Sequence, residues 1–291
     1  MPSDWLEVGQ CATLACMLEA TAPKVGNVHR GSDFDDLTFT DFLSSAVAIA
    51  PAMQSAQTEN VGKVVLDAIT ATRKVVSTNT NLGIVLLLAP LAKATLQAPV
   101  RTTGAISECV NQVLKSLQAE DSRDVYAAIR LAVPGGMGKV EEMDVTQGDA
   151  PESLLVAMQA AAERDLIAKQ YVSDFSLIFE KVLPYLLDGE AKGWSLTERI
   201  IRAQLRLMSE HPDSLIARKC GLETAEEIAG YAGQVLAMGE PGDEIYHGGL
   251  ADFDFWLRSD GHRRNPGTTA DLLAAGLFLG LVTQTIQPPF R

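Results

Sequence analysis

Apolar residues recur at helical spacing through almost the whole chain. Trp5, Val8, Ala12, Ala15, Cys16 and Leu18 follow the three-and-four rhythm of an amphipathic helix. A loop spans 22–37, and Thr38 with Asp41 in "TFTD" predicts a capping box opening the helix "FLSSAVAIAPAM". "VGKVVLDAITATRKV" predicts the next helix, and the run that follows Asn79 is apolar all round, as in a buried one. Two more are expected over 104–118 and 121–132. The stretch 133–150, with "PGGMG" and the acidic "EEMD", interrupts the pattern as a connector. Beyond it, "PESLLVAMQAAAERDLIAKQY" and "DFSLIFEKVLPYLLDG" read as helices, the second bent at Pro184 and ended by Gly189. "SLTE" at 195 and "TAEE" at 224 are further start signals, and the last helix begins around "NPGTTAD". No stretch alternates with period two between hairpin turns. The expectation is an all-α fold of about a dozen helices in a single domain over residues 1–291.

Composition adds little to that picture, and charge adds more. With 47% hydrophobic and 21% charged residues the chain is an ordinary globular one. A formal charge of −13 without a run of Lys or Arg argues against a nucleic-acid partner. The same balance fits a solvated surface, or carboxylates gathered around divalent cations. Cys11, Cys16, Cys109 and Cys220 form no CxxC pair and read as reduced core thiols of a cytoplasmic protein. "MPSDWLEVGQ" shows no basic region followed by an apolar run, so no signal peptide is expected, and the apolar runs 82–92 and 272–282 are too short to span a membrane.

Four loops beside predicted helix starts concentrate candidate chemistry. In the first, Lys24, His29 and Arg30 precede Asp33, Asp35 and Asp36, whose spacing suits either a hard cation or a solvated acidic turn. In the second, Asn79, Thr80 and Asn81 offer more donors and acceptors than a helix cap requires, at a helix start that suits a phosphate. In the third, His211 and Asp213 lead to Arg218 and Lys219, which reads better as a helix with a basic end than as a phosphate clamp. In the fourth, Arg263 and Arg264 precede Asn-Pro-Gly-Thr-Thr, and Thr268, Thr269 and the two guanidiniums suit a polyphosphate. Asp271 there either serves that site or closes a capping box with Thr268. Nucleophilic serine, zinc-helix and Rossmann signatures are missing.

In their order and spacing these loops resemble the triphosphoribosyl-dephospho-CoA synthase family. "LEATAPKVGNV", "FDDLTFTDFLSSA", "TNTNLG", "DSLIARKCG" and "NPGTTADLLAAGLF" carry the resemblance over most of the chain. It implies an all-helical enzyme that joins the ribose of ATP to 3′-dephospho-CoA and releases adenine, with Mg²⁺ neutralising the triphosphate. It also implies site roles: Asp33 and Asp36 in catalysis, Asp33, Asp35, Asp36 and Asp271 around metal, and Lys24, Asn79, Thr80, Asn81, Arg263, Arg264, Thr268 and Thr269 around the nucleotide. Val25, Asn81-Leu82 and Thr268-Thr269 depart from the family pattern at its second proline, its His-Lys and its Gly-Ser. Those departures mark a divergent branch, similar to members found among one-carbon pterin and furan cofactor genes. A hydrolase of N-glycosidic bonds and a non-catalytic nucleotide binder are the competing expectations, and a homodimer is compatible with the apolar helices.

Overall fold

The computed structural model describes residues 6–133 and 149–290, all of whose regular elements are helical. Most of the connector expected over 133–150 lies outside the described residues. The centre of the molecule is a pair of helices that are apolar on every side, α5 (Leu82–Gln97) and α15 (Gly267–Val282). A helix without a polar face has to be covered on all sides by other elements. Around them pack α1 (Val8–Thr21), α3 (Ala50–Ser55), α4 (Val61–Val75), α6 (Thr103–Lys115) and α11 (Leu196–Glu210). No described helix is long and apolar enough to cross a membrane.

Proline inside α5 has a local remedy. Pro90 has no N–H to give the carbonyl of Leu86, and a buried carbonyl without a donor is costly. The hydroxyl of Tyr171, on α9 (Leu166–Val172), donates to that carbonyl at 2.7 Å. Burial pushes the Tyr171 phenol well above its ordinary range, so it stays a donor. This bond fixes α9, which carries part of the cavity wall described below, to the central helix.

A second, smaller core lies between α11, α12 (Ser214–Cys220), α13 (Leu222–Ala237) and α14 (Glu244–Arg258). It is more aromatic, with Tyr231, Phe253 and Trp256 in a mutually stacked triangle at centroid distances of 4.6, 5.6 and 6.3 Å. Arg264 lies 4.6 Å over the Trp256 ring. The three thiols Cys11, Cys16 and Cys109 are buried and outside any disulfide, and Cys220 is half-buried and likewise reduced.

Local start signals hold where the sequence places them. Thr38 and Asp41 form both bonds of a capping box on α2 (Phe39–Ala48), and Ser195 and Glu198 do the same on α11. Apolar continuity misleads elsewhere. "FLSSAVAIAPAM" is two helices, α2 and α3, because Pro51 needs the first turn of a new helix. "PESLLVAMQAAAERDLIAKQY" is also two, α8 (Leu154–Ala161) and α9, the latter capped by Asp165. Ahead of Pro184 the chain widens into a π turn, Ile178–Val182, and continues as α10 (Leu183–Leu187) before Gly189 takes a φ of 87°. "TAEE" is not a start, since α13 begins at Leu222 and the Thr224 hydroxyl bonds back to the carbonyl of Cys220.

Candidate active site

A cavity of about 940 Å³ opens where the N-terminal ends of α5 and α15 meet. Its size falls in the range that holds a nucleotide-sized ligand. Both helix starts present backbone N–H groups to it. In the first turn of α5, Asn79 Oδ1 accepts from Leu82 at 3.1 Å, while Gly83 and Ile84 donate to nothing among the described residues. In the first turn of α15, Thr269 donates to Asp213, and the Thr268 N–H has no acceptor among the described residues. Two unsatisfied helix starts aimed at one space favour an anion there.

The four cations that surround this space come from three separate segments. Arg73 stands at the end of α4, Arg164 precedes α9, and Arg218 and Lys219 lie on α12. Arg218 is held 2.5 Å from Asp165 Oδ2, whose other oxygen caps α9 through Ile167 and Ala168. Lys219 reaches the carbonyl of His262 at 3.4 Å, and burial lowers its pKa. A half-buried ammonium so loosely engaged suits an incoming anion.

Asp213 sets α12 against α15. Its Oδ1 accepts from Leu215 and Ile216 at 2.9 and 3.1 Å, and its Oδ2 from the N–H and hydroxyl of Thr269 at 2.7 and 2.8 Å. Burial raises its pKa, while the donors from Thr269, Ile216 and Leu215 pull it down. Ser214 adds a second tie, donating to the Thr268 hydroxyl at 3.0 Å. The basic segment of α12 is thereby fixed opposite Thr268 and Asp271.

The floor of the cavity is acidic. The Asp271 carboxyl lies against Gly83, where any Cβ would come within 2.0 Å of Asp271 Oδ2. Glycine is the residue that permits this approach. The pKa of Asp271 is raised well above the ordinary range, first by burial and then by the charges of Glu19, Asp213 and Asp165, which Arg218 only partly offsets. Glu19, on the last turn of α1 and 3% exposed, lines the same floor. One flank is apolar: Tyr126 and Ile129 on α7 (Ala119–Ala132) face Leu154 and Met158 on α8.

Of the residues singled out in the sequence, Asp36, Asn79, Thr80, Asn81, Thr268 and Asp271 line the cavity. Asn79 caps α5, Asn81 donates to Thr72 at 3.0 Å, and Thr80 shares a 2.5 Å hydrogen bond with Ser45. Asn81 Oδ1 and the Thr78 hydroxyl are buried without a partner among the described residues. The others stand elsewhere. Asp33 accepts from the Phe39 N–H at 2.6 Å at the start of α2, and Asp35 is exposed away from the cavity. Asp36, at the rim, lies 3.3 Å from His262 Nδ1. Lys24 is fully buried, and its three donors go to Glu19 Oε1 at 2.9 Å and to the carbonyls of Glu19 and Ala22. Arg263 faces Asp260 on the surface, Arg264 covers Trp256, and Thr269 is taken up by Asp213. Thr268 and Asp271 do not form a capping box.

Arg73, Arg164, Asp165 and Glu19 line the cavity without having been singled out, and Arg218 and Lys219 line it although their segment reads better in sequence as a helix with a basic end than as a phosphate clamp. For Glu19 a signal existed, because it falls on the buried stripe of α1, four residues after Ala15. Among the described residues no three His, Cys, Asp or Glu side chains gather closely enough to hold a metal ion. The four carboxylates expected around metal therefore do not form one ligand set.

Comparison with known proteins shows the family. No curated protein matches the sequence significantly. A crystal structure from Archaeoglobus fulgidus, named for triphosphoribosyl-dephospho-CoA synthase, matches with a TM-score of 0.62 and 26% identity. The match covers 86% of this chain and 100% of that one. The family model for ATP:dephospho-CoA triphosphoribosyl transferase matches residues 6–289. Since that match spans nearly every residue from the first helix to the last, the chain belongs to the ATP:dephospho-CoA triphosphoribosyl transferase family, a family of enzymes.

Proposed function

We propose that the cavity transfers the triphosphoribosyl group of ATP to a hydroxyl of 3′-dephospho-CoA, with adenine as the leaving group. The observation that carries this reading is the meeting of two free helix starts and four cationic side chains over an acidic floor. A triphosphate and a positively charged sugar transition state ask for opposite electrostatics within one ligand length. The rim and walls supply the first through Arg73, Arg164, Arg218, Lys219 and the N–H groups of Gly83 and Thr268. Glu19 and Asp271 supply the second. Asn81, with its buried unpartnered carbonyl oxygen, and Thr80 face the same space and complete the polar lining.

Magnesium enters this reading as the counter-ion that arrives with the triphosphate. Such an ion keeps much of its water and needs few protein oxygens. Asp36 at the rim is the exposed carboxylate within the cavity lining that suits that task, whereas Asp33 and Asp35 lie outside it.

One observation favours a different acceptor. The apolar flank of Tyr126, Ile129, Leu154 and Met158, together with Leu82 where the family has a lysine, offers an acceptor few charged contacts. An acceptor from one-carbon cofactor synthesis would satisfy the same chemistry at the sugar. Titration with ATP in the presence and absence of Mg²⁺, followed by chromatography for adenine on adding dephospho-CoA, tests the reading. Mg²⁺-dependent binding with acceptor-dependent adenine release is expected. Binding without release on dephospho-CoA shifts the acceptor, and adenine release without any acceptor makes the protein a hydrolase.

A further inference from the structure

Four carboxylates among the described residues border the cavity, and they differ in what already holds them. Asp165 has one oxygen on the N–H groups of Ile167 and Ala168 and the other on Arg218. Asp36 is an exposed rim group beside His262. Asp271 has no hydrogen bond or ion pair among the described residues to orient it. Glu19 alone combines depth with orientation: its Oε1 lies 2.9 Å from Lys24 Nζ, and its Oε2 has no partner among the described residues.

The lysine is committed to the end of α1 and to Glu19. It is fully buried, and its remaining hydrogens go to the Glu19 carbonyl at 2.5 Å and the Ala22 carbonyl at 3.4 Å. An ammonium has three donors, so none is left for a phosphate. A buried ion pair is also weak as a stabilising device, because desolvation offsets most of the attraction. Nor does Glu19 serve its helix, since a carboxylate in the last turn of α1 sits at the helix's negative end. A pair whose lysine closes the last carbonyls of α1, and whose carboxylate keeps one oxygen free at the cavity floor, has the layout of a base with its orienting partner.

We infer that Glu19 is the catalytic base for the acceptor hydroxyl, with Lys24 as its positioning residue. The inference rests on the transferase reading above. In the step, the acceptor oxygen forms a bond to the anomeric carbon as the bond from that carbon to adenine breaks. The hydroxyl proton passes to Glu19 Oε2. Adenine leaves with the electron pair of the broken bond and takes a proton from water, and Glu19 later returns its own proton to water. Lys24 keeps its proton throughout and holds the carboxylate in register.

Single removal of either charge strands the other, so stability and catalysis must be separated. The test compares Glu19→Asp, Glu19→Gln and the double variant Glu19→Gln/Lys24→Met with the unaltered protein. Glu19→Asp keeps the buried charge and withdraws the oxygen by one methylene, so it folds and loses at least about ten-fold in kcat for adenine release. The double variant removes both charges together, and replacing a buried pair as a unit is often tolerated. It is expected to melt above Glu19→Gln alone, to bind ATP within a few-fold of the original affinity, and to lose on the order of 10²–10⁴ in kcat. Its residual kcat/KM loses the acid limb of the pH profile, which a purely structural pair would leave in place. A folded, ATP-binding double variant or Glu19→Asp protein with full turnover overturns the assignment. An unaltered protein that releases no adenine with any acceptor overturns the transferase reading, and this assignment with it.

Discussion

The floor of the cavity and the loop over its rim carry carboxylates in opposite circumstances. On the loop, Asp33, Asp35 and Asp36 are exposed, and Asp33 and Asp36 serve a helix start and a histidine. On the floor, Glu19 is buried beside Lys24, and Asp271 is half-buried without a partner among the described residues. An exposed acid costs the fold nothing and needs no explanation. An enclosed acid costs desolvation free energy, and a fold keeps such a group where its chemistry is used. The difference shows why a cluster of acids in sequence is a poor guide to a site: "DFDD" is dense because it is a surface loop, while the floor draws one acid each from α1 and α15.

The comparison breaks first at Asp271. Asp271→Asn is expected to lower adenine release by about 10²-fold or more, the scale of one lost electrostatic contact to the transition state. It should also raise the melting temperature at neutral pH. The folded pKa of Asp271 is raised, so above the ordinary carboxylate value the native chain binds more protons than the unfolded one. Stability is then full at low pH and falls as pH rises towards the folded pKa. The amide of the variant does not titrate and escapes that loss, and thermal unfolding across pH reads the difference. A variant that is less stable than the original at every pH would place Asp271 among ordinary structural acids. Gly83→Ala comes next. Its methyl group would force the Asp271 carboxyl aside, and a displacement on the scale of 1 Å at a reacting centre costs about 10²-fold in kcat/KM. A normal rate would show that the carboxyl needs no fixed place.

How much of this was legible in the sequence depends on the range over which the physics acts. Capping boxes at Thr38 and Ser195 are four-residue devices, and reading them locally was enough. The all-helical class and the burial of α5 and α15 followed from residue spacing alone. The breaks at Ile49 and before Asp165 are marked locally by Pro51 and Asp165, but apolar spacing runs straight through both and hides those marks. The motif loops did come together, so Asn79, Thr80, Asn81, Thr268 and Asp271 share one space. Only half of the cations followed the motifs: Arg218 and Lys219 lie in "DSLIARKCG" and do line the cavity. Arg263 and Arg264 look like phosphate ligands beside a helix start but fold outward onto Asp260 and Trp256. Arg73 and Arg164 have no local mark, since only the tertiary fold brings the end of α4 and the start of α9 to one cavity.

That contrast among the cations is open to direct measurement. Arg218→Ala and Lys219→Ala should each weaken ATP binding about ten-fold, in line with a charge-assisted bond of about 1.5–3 kcal/mol partly replaced by water. Arg263→Ala and Arg264→Ala should leave the affinity within about two-fold, as expected for charges outside the cavity lining. Titration calorimetry at fixed salt separates the pairs. Equal losses in all four variants would mean that the nucleotide lies over the rim instead of in the cavity.

The smallest effect is expected at the rim loop itself. Asp33 Oδ1 accepts one hydrogen bond from the Phe39 N–H, and α2 has a complete capping box besides. Asp33→Asn keeps the oxygen and removes the charge, so the loss should be at most about 1 kcal/mol of stability, the scale of one cap interaction. Mg²⁺-dependent ATP binding and adenine release should be unchanged. If instead the variant loses the Mg²⁺ dependence of binding, the loop carboxylates act on the metal after all, and the charge that matters is at the rim. The floor would then be a structural feature of a site whose chemistry is conducted above it. The contrast between buried and exposed acids therefore turns on one conservative change at an exposed residue, whose folded state survives in either case.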